Sequence, residues 1–323
     1  GVRGLGDSVR ELDGLLLAAG YATPRVSLPA QNLRDGRLLV RLDAGRIAEV
    51  RMVEAGSGQP DRHWGTWRNA FAFGAGDLRN LRAVEQGLET MTRLPSQQVR
   101  VSLEPGIEPA TSVVVIQREP ASLRQRLRGS LGLDNGGGAQ LGRTQLSANF
   151  SLDNPAGLND LLAASASTNA EDPGHARRSQ SASLQYSVPW GKQLLTLSAS
   201  GSRFAQYALG TTARFLFSGQ SETAQALVQR TIWRSAASRL SVRAGLSTRR
   251  ASSFIDDTEI VVQRRRTSQL EWGVSGQRVF DGGVFDFDLA RRHGVSWRGA
   301  QDDFEDAQDG GPTLRPRIWS LSM

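Results

Sequence analysis

The chain has no cysteine, a single lysine (Lys192) and three histidines. Disulfides, thiolate metal sites and thiol nucleophiles are therefore excluded. His63, His175 and His293 show no paired ligand spacing, so no metal is expected. No stretch approaches the ~18 consecutive apolar residues of a membrane helix. Glycine-rich Asn135–Gly138 lacks the Gly-Lys-Ser/Thr of a phosphate cradle and reads as a hairpin loop. Asp256-Asp257 and Asp302-Asp303 read as solvated loop acids. Arg264-Arg265-Arg266 has no stacking aromatics beside it and reads as a strand end rather than a nucleic-acid contact. The sequence thus points to no enzyme, no cofactor and no nucleic-acid partner. What is abundant is arginine: the basic residues outnumber the acids for a net charge of +7. Such a surface suits anionic headgroups or acidic chains.

The front of the chain mixes helix and strand signals. Ser8-Val9-Arg10-Glu11 reads as a capping box opening a helix with Val9, Leu12, Leu16 and Ala19 on one face, ended by Gly20. Strands are expected at Arg25–Leu28 and Leu38–Leu42, with a turn at Asp35-Gly36. Ile47–Val53 alternates cleanly. Leu81, Val84, Leu88 and Met91 form a helical stripe capped by Asp77 or Asn80. Gly87 inside it suggests close packing. A break at Leu94-Pro95-Ser96 precedes strands Val99–Leu103 and Ser112–Ile116. A further helix has room near Trp64–Asn69.

From Leu123 onward the pattern is period 2. Leu123, Leu127, Leu131 and Leu133 alternate with Arg124, Arg126, Arg128 and Ser130. Further runs centre on Phe150, Leu184, Leu197, Val242 and Phe287. Each strand so written has one apolar and one polar face. A soluble sandwich has the same period, but several runs exceed the usual 5–6 residues. Tight connections (Asn154–Asp160, Pro189–Lys192, Arg234–Ser238, Asp281–Gly283) alternate with longer ones (Asn169–Ser179, Leu209–Gln220, Ile255–Glu259, Gly299–Pro316). Trp190, Trp233, Phe280 and Trp297 sit near strand ends. This is the pattern of a membrane barrel with short periplasmic turns and an interfacial aromatic girdle. Charge on the polar face (Arg124, Arg126, Arg128, Arg243, Glu271, Asp286, Asp288) is then expected to line a wet pore.

Arg82–Leu88, Thr92–Ser96 and Leu103–Gly106 together resemble the second POTRA domain of TpsB transporters, the haemolysin-activator partners of two-partner secretion within the Omp85 superfamily. Gly20–Thr23 and Leu28–Leu38 resemble the end of the first POTRA domain. Asp134–Gly136 and Leu152-Asp153-Asn154-Pro155…Gly157…Asp160 resemble the opening of that family's barrel. One departure is Glu108–Ser112, where the family usually has a glycine before the serine. The opening residues show no apolar signal region and the last ones stop in mid-alternation, so the sequence reads as a fragment.

The resemblance implies α+β POTRA domains followed by a transmembrane antiparallel barrel. The expected divisions are 1–45 (partial first POTRA), 46–120 (second POTRA) and 121–323 (first part of the barrel, about nine or ten strands). It implies an outer-membrane protein with periplasmic POTRA domains, partnered by an unfolded TpsA-type exoprotein and by outer-membrane lipid. An exposed sheet edge would take the exoprotein by strand addition. That edge maps to Gln97, Val99, Arg100, Val101, Ser102 and Leu103, with Leu81, Val84, Leu88 and Met91 as the helical wall of the groove. An Omp85-type assembly factor and a soluble β-rich adhesin are the alternatives.

Overall fold

The computed structural model describes residues 2–21, 25–31, 38–43, 45–171, 174, 176–210, 213–303 and 313–323. Asp35-Gly36, Ala22-Thr23, Asn32–Arg37 and His175, together with parts of three of the four longer connections, lie outside the described residues.

Helix α1 spans Val2–Ala18. It begins ahead of Ser8, so the expected capping box lies within the helix. Its end is as read: Tyr21 N–H donates to Leu16 O and Gly20 N–H to Leu17 O, with Gly20 at φ 92°. That is the glycine-terminated close in which two orphan carbonyls are satisfied. Strands β1 (Arg25–Ser27) and β2 (Arg41–Asp43) follow as an antiparallel pair.

The next unit is a three-stranded sheet with one helix. β3 (Arg46–Glu54), α2 (Leu81–Thr92), β4 (Val99–Pro105) and β5 (Thr111–Arg118) come in that chain order. The sheet order is β3-β5-β4, with β5 parallel to β3 and antiparallel to β4. Asn80 caps α2, its side chain accepting from Ala83 N–H. Ile47, Phe71, Val84, Met91, Val99, Val114 and Ile116 form the core. Each such side chain contributes about 1.5–3 kcal/mol by leaving water. Gly87 is buried because Phe71 occupies its Cβ position; a Cβ there would fall 2.1 Å from the ring. No helix forms at Trp64–Asn69, where only a turn closes, Ala70 and Phe71 N–H both donating to Trp67 O.

The remainder is one large antiparallel sheet. Its strands are β6 (Leu127–Asp134), β7 (Gln145–Asp153), β8 (Leu161–Asn169), β9 (Arg178–Trp190), β10 (Gln193–Leu209), β11 (Arg214–Arg234), β12 (Ser238–Ile255), β13 (Thr258–Glu259), β14 (Arg265–Phe280), β15 (Gly283–Gly294) and β16 (Arg317–Ser322). Each main strand pairs with its sequence neighbour along a path from β6 to β16, and β13 extends the end of β12. Strands of 16 to 21 residues in β10, β11, β12 and β14 exceed the 9–11 needed to cross a bilayer. Two expectations change. The connection at Leu209–Gln220 is mostly strand, β10 and β11 continuing to Leu209 and from Arg214. The run at Leu123–Arg126 is a helical turn, α3, capped by Ser122, rather than the start of a strand.

The two faces follow the alternation. Leu131 and Leu133 of β6 are 83% and 70% exposed, as apolar residues turned to lipid should be. On the other face, hydroxyls pair across strands, Ser165 with Ser183 and Ser167 with Ser181. Trp190, Trp233 and Phe280 all lie at the end of the sheet that meets the three-stranded unit.

Candidate functional site: an open edge strand fixed at the mouth of a barrel

The small sheet has two outer strands, and only one is open. β3 is covered by its own chain. Glu54 N–H donates to Gln59 O, Asp61 N–H to Met52 O, and Ile47 N–H to Asp77 O, while Gly76 N–H donates back to Ile47 O. Among the described residues nothing pairs with the outer side of β4. Glu119 N–H donates to Gln98 O and Gly106 N–H to Thr111 O. That phase makes the even residues of β4 the ladder partners of β5. Antiparallel alternation then turns the N–H and C=O groups of Val99, Val101 and Leu103 toward the free side. An unpaired row of this kind is a template for an added strand.

The side chains sort differently from the sequence expectation. Val99 is buried and Val101 packs on the core, whereas Arg100, Ser102 and Leu103 are exposed. Gln97 precedes the strand and is buried. On α2, Val84 and Met91 are fully inside the core and Leu88 packs against it. They hold the sheet and cannot wall a groove. Leu81, Glu85 and Thr92 are the residues of α2 left in solvent.

A second stripe on α2 was not foreseen. Arg82, Gln86, Glu89 and Arg93 recur at helical spacing on the face toward the large sheet. Arg82 donates to Arg234 O, and Gln86 accepts weakly from Arg234. The Glu89 carboxylate takes both Arg234 and Arg239, either side of the β11–β12 turn. Burial alone would raise this carboxyl. Hydrogen bonds and charge from the two arginines outweigh that and hold it below the ordinary glutamate value.

Arg93 reaches the β7–β8 turn and strand β9, donating to Asn159 O at 2.9 Å and Ser187 Oγ at 2.8 Å. Burial pulls its pKa down, opposed by the charges of Asp153 and Asp160. Asn159 Nδ2 donates to Thr66 O and to Asn69 Oδ1, and Asn69 donates to the carbonyls of Leu158 and Pro189. Ser96 N–H donates to Asp153, whose carboxylate is also held by Arg128 at 2.6 Å. Asp153, Asn159 and Asp160 are fully buried. Buried Arg118 orders the small unit's side of the seam: it pairs with Asp61 at 2.7 Å and binds the carbonyls of His63 and Trp64, and Trp64 O also accepts from Asn154 Nδ2 of the large sheet. Buried polar groups survive only when hydrogen-bonded, and here their partners come from both units. The stretch from Asp153 to Asp160, read as a barrel-opening motif, is the socket into which the small unit fits.

The expected pore residues divide. Arg124 is exposed on the α3 turn and not on a strand wall. Arg126 is tied to the carbonyls of Asp153 and Asn154, and Arg128 to Asp153, so both belong to the seam. Arg243, Glu271, Asp286 and Asp288 do share the polar face. Arg243 passes over Gly273, whose missing Cβ leaves room for its guanidinium. It binds Glu271 at 2.8 Å on β14 and both carboxylate oxygens of Asp288 on β15. Arg292 completes the group on Glu271 at 3.0 Å. Asp286 accepts from Gln277 at 2.8 Å.

An α/β unit with one open edge, docked on the mouth of a sheet with lipid and water faces, defines a POTRA-plus-barrel outer-membrane protein. The family model described as haemolysin secretion/activation protein ShlB/FhaC/HecB matches residues 110–323, and a POTRA domain model matches 46–105. The chain belongs to the ShlB/FhaC/HecB family. It is 33% identical over 315 residues to the outer membrane transporter CdiB-2 of Burkholderia pseudomallei, covering 98% of this chain and 52% of that protein. CdiB of Dickeya dadantii is 29% identical over 320 residues, covering 97% and 54%. The structure of CdiB from Escherichia coli superposes with a TM-score of 0.84 at 26% identity, over 99% of this chain and 58% of that one. The chain therefore spans about half the length of the curated relatives it matches.

Proposed function

We propose that the protein is a two-partner secretion transporter, not an enzyme: it takes an unfolded exoprotein on β4 and passes it outward through the barrel. We take 1–45 as part of a first POTRA domain, 46–120 as a second and 121–323 as barrel. The observation that carries the reading is the open edge of β4 on a unit clamped to the barrel mouth. A chain added along β4 is paired through backbone groups, which tolerates varied sequence. It is also delivered beside the polar face, where hydroxyls and compensated charges offer a wet path.

The test is a pair of proline substitutions in the full-length protein. Leu103→Pro removes an N–H that faces the free side and leaves the β4–β5 ladder whole. It should abolish binding of the exoprotein's N-terminal segment with the fold retained by circular dichroism. Ser102→Pro removes a ladder bond instead and should destabilise the domain. Undiminished binding by a folded Leu103→Pro protein would refute the edge-strand reading.

A further inference from the structure

The apolar face of the large sheet ends in a row of charge at its outer side. Along β12 the lipid-facing residues are Leu240, Val242, Ala244, Leu246 and Thr248, and then Arg250. From Leu240 to Arg250, at ~3.3 Å per residue and a ~40° tilt, the rise is about 25 Å, the height of a barrel's apolar band. Arg250 thus stands at the outer headgroup level. Arg266 of β14 lies directly opposite it on the same face. Like charges so placed repel.

Little on the chain neutralises them. The Arg250 side chain has no ion pair or hydrogen bond among the described residues. Arg266 feels the field of Glu259, but that carboxylate is bonded by Arg264. Among the described residues Arg298 stacks on Trp297. Glu222 is the acid of this row, opposite Arg250, and forms no ion pair with it.

Two cavities meet at this row. One, about 410 Å³, is lined by Arg250, Arg264, Arg265, Arg266, Glu222 and Glu259. The other, about 530 Å³, runs across the apolar face from β12 to β9, just below the row, over Ala224, Ala199, Gly201, Ala182 and Leu184. They share Arg250 and Glu222, and Arg298 overhangs the second. A basic chamber opening into an apolar trough fits an amphiphile with an anionic head. Arginine forks match phosphate oxygens bidentately.

We propose that this is a binding site for a phosphate-bearing glycolipid of the outer leaflet, of the lipid A class. Its phosphate sits among Arg250, Arg266 and Arg298, and an acyl chain lies along the trough. The proposal rests on the reading of the sheet as bilayer-spanning. That reading is checked separately by heat-modifiable migration of the refolded protein, so a folded barrel that ignores lipid A sinks the site alone.

The experiment is equilibrium binding of fluorescent lipid A to full-length protein in detergent. Arg250→Gln with Arg266→Gln should weaken binding at least about tenfold, two charge-assisted contacts being lost. Arg298→Gln, outside the strands, should weaken it measurably even if the double variant fails to fold. Arg230→Gln, on the lipid face at the opposite end of β11, should change nothing. Dephosphorylated lipid A should compete poorly. Equal loss on Arg230→Gln, equal competition by the dephosphorylated lipid or by phosphatidylglycerol, or full binding by the three arginine variants would overturn the proposal.

Discussion

The seam between the POTRA unit and the barrel makes a quantitative prediction through Arg93. Arg93→Gln removes two charge-assisted hydrogen bonds, to Ser187 and Asn159, and leaves a buried carbonyl short of a donor. At about 1.5–3 kcal/mol for each such bond, reduced because the site is only partly buried, the docked state should lose about 2–4 kcal/mol. A loss of 1.4 kcal/mol is tenfold in an opening constant, so the loss corresponds to roughly 30- to 700-fold. Native-state hydrogen exchange in nanodiscs reads this directly. Thr66 N–H, which donates to Gly157 O, and Asn159 N–H, which donates to Asn154 Oδ1, should lose protection by that factor. Glu89→Gln should cost about 1–2 kcal/mol, because Glu89 is 40% exposed and its ion pairs are discounted accordingly. Since the folded Glu89 carboxyl sits below its ordinary value, its contribution is complete above that value, near 4.3, and is lost only as pH falls through the lowered one. At neutral pH the clamp is closed. Protection of Thr66 and Asn159 unchanged within threefold in Arg93→Gln would refute a seam held by these bonds.

Two further outcomes follow from the sheet. Leu131→Arg puts a charge on the lipid face and should impair membrane assembly by about 2–4 kcal/mol near the midplane, while Ser130→Arg on the polar face is tolerated; heat-modifiable migration separates the two. Arg243→Met leaves Glu271 and Asp288 without their shared cation and should shift the reversal potential of the reconstituted pore toward cation selectivity, with Glu271→Gln shifting it the opposite way.

Local signals carried the strands and α2, and long-range ones were silent. The alternation at Leu146–Leu152 or Val242–Leu246 is written in adjacent residues, and so is the Asn80 cap. The helical turn at Leu123–Arg126 was also written locally: Ser122 and Gln125 form a capping box. The Leu-Arg-Gln-Arg-Leu alternation masked it, because leucines four apart suit a helix as well as a strand. The Ser8–Glu11 pattern misled in the opposite sense, since a serine inside a helix costs little. The stripe Leu81, Val84, Leu88 and Met91 showed that the helix is amphipathic but not which ligand the apolar face meets; it meets the domain's own sheet. The seam joins Asn69 to Pro189 and Arg93 to Ser187, pairs far apart in the chain. Its one trace in the sequence is the surplus of Asn and Asp between Asp153 and Asp160, more than a turn of that length requires.

The central claim is that the exoprotein pairs with the free side of β4. The chain lacks cysteine, so a single introduced thiol reports without background. Leu103→Cys on β4 and Arg51→Cys on the covered strand β3, each in the full-length protein, can be tested for cross-linking to an exoprotein stalled in transit that carries one cysteine in its N-terminal segment. The account predicts a cross-link at position 103 and none at 51. A cross-link at 51, or none at 103 while the stalled chain remains in the barrel, would contradict it.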